Sequence, residues 1–168
     1  MIVVVMGVSG VGKTTVGKLL AELAGWIFYD ADEFHSPENI AKMRSGTPLT
    51  DDDRWPWLDR LNALLKDEDR SGRSAVLACS ALKQRYRDRL ARGIDGIRWV
   101  HLQGSFDLIK SRLDARKGHY MSAQLLQSQF AALEPPAPDI ELDVAEEPAA
   151  LVRAILRRLP VARPDAPG

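Results

Sequence analysis

The run Gly7-Val8-Ser9-Gly10-Val11-Gly12-Lys13-Thr14 constrains this chain more than any other feature. It fits G-x-x-x-x-G-K-[ST], and it lies between a β-branched run, Ile2 to Met6, and a helical pattern beginning at Lys13. Glycines let a backbone take left-handed angles and approach a polyanion closely. Successive N–H groups and the start of the following helix then supply partial positive charge to a phosphate chain. The Lys13 ammonium is placed to reach the β- and γ-phosphates, and the Thr14 hydroxyl to bind Mg²⁺, with Thr15 beside it. The bland alternative, a plain glycine turn, does not account for the lysine and hydroxyl at fixed offsets.

The rest of the chain supplies the matching scaffold. Ile2 to Met6 reads as a strand buried on both faces, because apolar residues run without alternation. Lys13 to Ala24 carries Val16, Leu19, Leu20 and Leu23 at helical spacing. Further strands are expected at Trp26–Tyr29, Ser74–Cys79, Ile97–Leu102 and Ile140–Val144. Helices are expected at Leu58–Leu65, Gln84–Leu90, Phe106–Leu113 and Pro148–Leu159. Strands alternating with helices imply right-handed crossovers, hence a five-stranded parallel sheet with helices on both faces. The expectation is an α/β three-layer sandwich of the P-loop NTP hydrolase type, one domain over residues 1–160. Residues 161–168, rich in proline and without apolar periodicity, read as a flexible tail.

The kind of P-loop protein is decided by where the carboxylates fall. GTPases and motor-type ATPases need an acid on the third strand, but here that strand ends Leu77-Ala78-Cys79-Ser80, and no N-K-x-D follows. The acids lie after the second strand, in Asp30-Ala31-Asp32. Small-molecule P-loop kinases place a D-x-D there, facing the γ-phosphate. Alternate residues of an extended segment share one side. Asp30 can then hold metal-bound water while Asp32 orients an acceptor hydroxyl and takes its proton. By itself the same pair is also what a solvated turn with a helix cap contains.

The segment that follows narrows the reading. Asp30-Ala31-Asp32, His35, Asn39, Lys42-Met43, Gly46, Pro48-Leu49, Asp51, Asp53-Arg54 and Pro56-Trp57 resemble the gluconokinases of the shikimate-kinase-like branch. Cys79-Ser80-Ala81-Leu82-Lys83 with Tyr86-Arg87-Asp88 is similar to a second block of that family. His119-Tyr120-Met121, Leu125 to Phe130 and Leu133-Glu134-Pro135 are similar to others. Ala31, Ser36 and Tyr120 stand where Gly, Pro and Phe are common. The resemblance implies transfer of the ATP γ-phosphoryl to the 6-hydroxyl of D-gluconate, and at fold level a homodimer.

An acceptor of that kind, a monoanion bearing five hydroxyls, needs a cationic clamp and few apolar walls. Arg54 and Lys83 are the clamp candidates. Arg54 follows the acids Asp51 to Asp53, which offer it a purely surface pairing as well. Lys83 follows the third strand at its carboxyl end, where open α/β sheets bind ligands. Arg87 lies one helical turn beyond and is expected to join it. His35 either donates to an acceptor oxygen or caps a turn. Arg112, Arg116, Lys117 and His119 cluster around Gly118 in a small helical lid expected over about residues 112–126. Closure would expel water, with Arg116 stabilising the transferring phosphoryl, Arg112 flanking the nucleotide and His119 reaching the acceptor. A solvated basic face is the alternative. Trp55, Trp57 and Trp99 read as packing residues, and Cys79 as a small apolar filler.

Composition removes other classes. Lys+Arg and Asp+Glu both number 23, so a sequence-independent grip on nucleic acid is not expected. Met1 to Val8 is too short to span a bilayer and has no basic flank, so no membrane role is expected. The single cysteine favours a reducing compartment, and the reading is cytoplasmic. The expected ligands are ATP, Mg²⁺ and D-gluconate. Another small-molecule acceptor, or a nucleotide-binding regulatory module without an acceptor, remains open on the residues alone.

Overall fold

The structure, a computed structural model, describes residues 1–116 and 122–160. The expected lid residues 117–121, with Lys117 and His119, and the expected tail, 161–168, lie outside the described residues. Five strands, β1 (Ile2–Met6), β2 (Ile27–Asp30), β3 (Ala75–Ala78), β4 (Arg98–Gln103) and β5 (Ile140–Asp143), form one sheet in the order β2-β3-β1-β4-β5. Every pairing is parallel, with Val4 opposite Leu77 and Trp99. This is the α/β layered sheet that the sequence implies.

Helices α1 (Lys13–Ala24), α2 (Pro37–Arg44), α3 (Asp51–Arg70), α4 (Gln84–Ala91), α5 (Phe106–Ala115), α6 (Ala123–Ala132) and α7 (Pro148–Arg158) complete the described elements. Alternation along β1 sorts them into layers. Val3 and Val5 pack with Val16 and Leu20 of α1, Ile109 of α5, Leu126 of α6 and Ile155 of α7. Ile2, Val4 and Met6 pack on the opposite face with Trp57, Leu58, Leu61 and Leu65 of α3 and Tyr86 and Leu90 of α4. Each fully buried leucine of α3 contributes about 1.5–3 kcal/mol relative to exposure.

Helix α3 is far longer than the Leu58–Leu65 segment that apolar spacing alone identifies. Its first turn is fixed by a capping box in which the Thr50 hydroxyl accepts from Asp53 N–H and the Asp53 carboxylate accepts from Thr50 N–H. Pro56 is carried inside the helix rather than ending it. Farther along, the buried Asn62 amide donates to the carbonyls of Leu90 and Arg92, both at 2.8 Å, and so closes the end of α4 against α3. A short 3₁₀ turn, Ala31–Phe34, follows β2 and carries Asp32. Helix α3 pins that turn at two points: Trp57 Nε1 donates to Ala31 O at 2.8 Å, and Arg60 Nη1 donates to Phe34 O at 2.7 Å.

Candidate active site

The loop after β1 behaves as its sequence requires. Gly7 has φ +148°, and a Cβ there would lie 2.5 Å from the Leu102 carbonyl oxygen, so only glycine fits between β1 and β4. Gly12 takes φ +96° as the residue preceding α1. Helix α1 has no side-chain cap and no acid in its first turn, unlike α2, α3, α5 and α6, which begin with serine or threonine caps. Its opening N–H groups are therefore available to an anion. Lys13 Nζ donates to the Gly7 and Val8 carbonyls, each at 3.0 Å, and lies along the loop it serves.

Thr14 and Asp30, the residues expected to hold a divalent cation, are brought together. Thr14 Oγ1 donates to Asp30 Oδ2 at 3.4 Å, while Asp30 Oδ1 accepts from Asp32 N–H at 3.0 Å. One hydroxyl and one carboxylate leave most of an octahedron to water and phosphate oxygens, which is the donor set Mg²⁺ favours. The residues fit that ion.

Three clefts meet here. The first, about 350 Å³, is lined by Ser9, Gly10, Gly12, Lys13, Thr14, Asp30, Asp32, Ala78 to Ser80, Leu113 and Arg116. A second, about 340 Å³, runs between Val11, Thr15 and Val16 on one side and Arg112, Arg116, Val144 to Pro148 and Leu151 on the other. Its apolar walls and its position past the phosphate loop suit a nucleobase. Arg116 borders both, where the phosphates and the base would join; Arg112 borders the second alone.

The third cleft, about 550 Å³, lies on the other side of Asp32. Asp32, His35, Arg54 and Lys83, all expected at the acceptor, line it together with Trp57, Tyr86 and Gln129. Arg54 Nη1 donates to the Tyr86 hydroxyl at 3.1 Å and to Asp51 at 3.4 Å, and the guanidinium lies over the Tyr86 ring. Arg54 thus makes the Asp51 pairing that the sequence offers and also borders the cleft. Asp51 accepts from Tyr86 Oη at 2.5 Å and from Arg85 at 2.7 Å; the Tyr86 hydroxyl chiefly holds its carboxyl below the usual range. Lys83 is half-buried, and its ammonium has no partner among the described residues.

Arg87 is placed otherwise. It is 4% exposed, and its guanidinium donates to the Ala81 carbonyl at 2.7 Å, the Glu134 carbonyl at 3.1 Å and Gln84 Oε1. It borders a small separate cavity near Trp99 and Pro136 and not the cleft that holds Lys83. Its work is to tie α4 to the chain leaving α6. Arg87→Met is expected to lower stability by about 1–3 kcal/mol, because buried carbonyls lose their donor. Urea unfolding reads that loss, and a change confined to acceptor KM would return Arg87 to the cleft.

The electrostatics separate the ionisable groups by role. Burial pushes the Asp32 carboxyl above the usual carboxylate range, and the neighbouring Asp30 charge adds to this, against Lys13 and His35. Burial also lowers the Lys13 ammonium to about 8. Cys79, 2% exposed, is pushed up to about 12 by burial, so it is an inert filler, as its sequence position implies. Trp57 is buried, in keeping with its helical spacing, yet it also forms a wall of the third cleft.

Four contributors escape sequence reasoning. Gln129 Oε1 accepts from the Ser9 N–H of the phosphate loop at 2.8 Å, joining α6 to that loop. Tyr86 orients Arg54, Asn39 contacts His35, and Val144 to Pro148 wall the second cleft. Asn39, Tyr86 and Gln129 fall inside the motif blocks quoted above, which was the available signal; the segment after β5 carried none.

A phosphate loop at the carboxyl end of a parallel sheet, with acids at the end of β2 and in the turn behind it instead of on β3, defines a small-molecule P-loop kinase site. A family profile described as an AAA domain matches residues 2–136. A protein of Rattus norvegicus named probable gluconokinase is 49% identical, the match covering 94% of this chain and 97% of that one. The crystal structure of a gluconokinase from Sinorhizobium meliloti 1021 superposes with a TM-score of 0.83 at 44% identity, covering 93% of this chain and 89% of that one. The shikimate kinase of Aquifex aeolicus shares the fold, with a TM-score of 0.59 at 19% identity over 94% of each chain. The chain belongs to the gluconokinase family of P-loop kinases.

Proposed function

We propose that this chain transfers the γ-phosphoryl group of ATP to the 6-hydroxyl of D-gluconate, giving 6-phospho-D-gluconate and ADP. The observation that carries the reading is the position of Asp32, which borders both the phosphate cleft and the third cleft. A group there can touch an acceptor hydroxyl and the phosphorus it attacks.

The loop amides between Gly7 and Thr14, apart from those of Gly7, Ser9 and Val11, which already donate to Ser80, Gln129 and Val8, hold the β- and γ-phosphates with the start of α1. Lys13 exchanges its two carbonyl partners for phosphate oxygens. Thr14 and Asp30 would hold Mg²⁺, which neutralises phosphate charge when bound. Asp32 accepts the hydrogen bond of the attacking hydroxyl and takes its proton as the new P–O bond forms. Arg54 and Lys83 meet the gluconate carboxylate, and His35 meets one of its oxygens. Arg116 faces the transferring group, and the lid expected over about residues 112–126 excludes water. Residence in the cytoplasm and a homodimer belong to the same proposal. The described residues contain no helix long and apolar enough to cross a membrane.

The test is ADP release that depends on gluconate, run with and without Mg²⁺ and against shikimate, a nucleoside monophosphate and other sugar acids. Turnover on gluconate above the other acceptors is expected. Turnover on another acceptor alone, or nucleotide binding with none, would replace the proposal by one of the two alternatives.

The titrations give the pH dependence a definite sign. Asp32 acts as carboxylate, so kcat is expected to fall as pH drops through its raised pKa, above the usual ~3.9. Lys13 acts as ammonium, so kcat/KM for ATP is expected to fall as pH rises through about 8. A saturating triphosphate restores the Lys13 proton, and the kcat profile therefore lacks that upper limb. An upper limb of equal position in both profiles would take Lys13 out of this role.

A further inference from the structure

His35 is 8% exposed and lies flat on the Trp57 indole, with ring centroids 4.1 Å apart at 17°. Asn39, one turn into α2 and 4% exposed, places its Nδ2 3.3 Å from His35 Nδ1. The same Nδ2 lies 2.9 Å from the Asp53 main-chain carbonyl oxygen. A carbonyl oxygen only accepts, so the atom facing it must be the NH₂ of the amide. An NH₂ only donates, so His35 Nδ1 must be the unprotonated nitrogen. The ring proton then sits on Nε2. No described residue bonds Nε2, and among the described residues no fully buried side-chain nitrogen or oxygen lacks a partner. Nε2 therefore has open surface, and the cleft that His35 borders is the third one.

We propose that Asn39 is a positioning residue that holds His35 as the Nε2–H tautomer, so that the ring offers one donor, and no acceptor, to an oxygen of the sugar-acid acceptor. The acceptor half of this statement rests on the function proposed above; the tautomer half does not. The clamp is stiff because Asp53 is fixed from three directions. Its carboxylate accepts from Lys42 at 2.8 Å and from Thr50 N–H at 2.9 Å, and its N–H is capped by the Thr50 hydroxyl.

The charged groups around the ring favour the neutral form. Burial lowers the His35 pKa first, and Arg54 and Arg60 on α3 lower it further, against Asp32 on the 3₁₀ turn. Asn39 on α2 and the Trp57 face are uncharged. An uncharged, donor-only ring suits hydroxyl and carboxylate oxygens alike.

The chain has three histidines, so long-range ¹H–¹⁵N spectra of the intact protein can resolve each ring, with His35 assigned by its loss in His35→Gln. The expected wild-type spectrum shows an Nε2–H tautomer at His35 from about pH 6.5 upward. An Nδ1–H tautomer, or an imidazolium at pH 7, would overturn the proposal without any further variant. Adding D-gluconate is expected to shift the Nε2 resonance and leave Nδ1 as it was; an unmoved Nε2 removes the acceptor half. Asn39→Asp puts an acceptor against Nδ1, so His35 should move to the Nδ1–H or charged form, and KM for gluconate should rise about tenfold with a smaller change in kcat. An unaltered His35 spectrum in that variant also defeats the assignment. If the wild type releases no ADP with gluconate, the function proposal fails while the tautomer result stands by itself.

Discussion

Asp32→Asn is expected to lower kcat by about 10²–10⁴-fold, the range for removing a positioned general base, while ATP affinity changes little. The asparagine keeps the shape of the side chain and can still hydrogen-bond the hydroxyl, but it cannot take the proton. The turn that carries it is held by Trp57 and Arg60 through main-chain carbonyls, neither of which the substitution touches. The protein should therefore fold as before, and its acid limb in the kcat profile should vanish. Single-turnover rates with bound nucleotide give the number directly. Turnover within a few-fold of wild type would mean that Asp32 neither orients nor deprotonates the acceptor.

Arg116→Ala is expected to have an effect of similar size, about 10³-fold in kcat, because a guanidinium facing a transferring phosphoryl group acts where negative charge spreads in the transition state. Arg116 follows the last turn of α5 and is exposed, so stability should be nearly unchanged. It borders the first and second clefts together, whereas Arg112 borders the second only. Arg112→Ala should consequently weaken ATP binding more than it slows transfer. Arg116→Lys should recover little, since an ammonium lacks the planar fork. Equal effects of the two alanine variants on KM for ATP, with kcat preserved in both, would make this a solvated basic face.

The parts of the site that were legible in the sequence are those whose chemistry is local. The phosphate loop is contiguous, and α1 begins and ends where its apolar spacing says, from Lys13 to Ala24. The two acids were legible from their spacing, but not their geometry: an extended segment was expected, whereas Asp30 ends β2 and caps the 3₁₀ turn that carries Asp32, its Oδ1 accepting from Asp32 N–H. Helix α2 went unread because it is short and carries few apolar residues; its signal is the Ser36 cap with Pro37 behind it. The acids Asp51 to Asp53 before Arg54 suggest a helix start, Pro56 leaves that boundary open on spacing alone, and the Thr50–Asp53 capping box fixes it. Arg87 is instructive in the other direction. Helical spacing puts it beside Lys83, but its fate is decided by the Glu134 carbonyl, 47 residues away in the chain. Spacing sees which face a residue occupies and is blind to an acceptor delivered from a distant loop. The same blindness hid Gln129 and the segment after β5.

The strand order has a geometric corollary. With β3 lying between β1 and β2, the loop that grips phosphate and the turn that carries the acids stand two interstrand steps apart, roughly 10 Å. That gap is about the width of a phosphoryl group flanked by two reaching side chains, and its base is formed by Ala78, Cys79 and Ser80. The third strand therefore serves as a ruler: it contributes no reactive group and sets the spacing of those that do. Small residues at its tip keep the interval open, and on the proposed mechanism its lack of an acid assigns proton removal to Asp32.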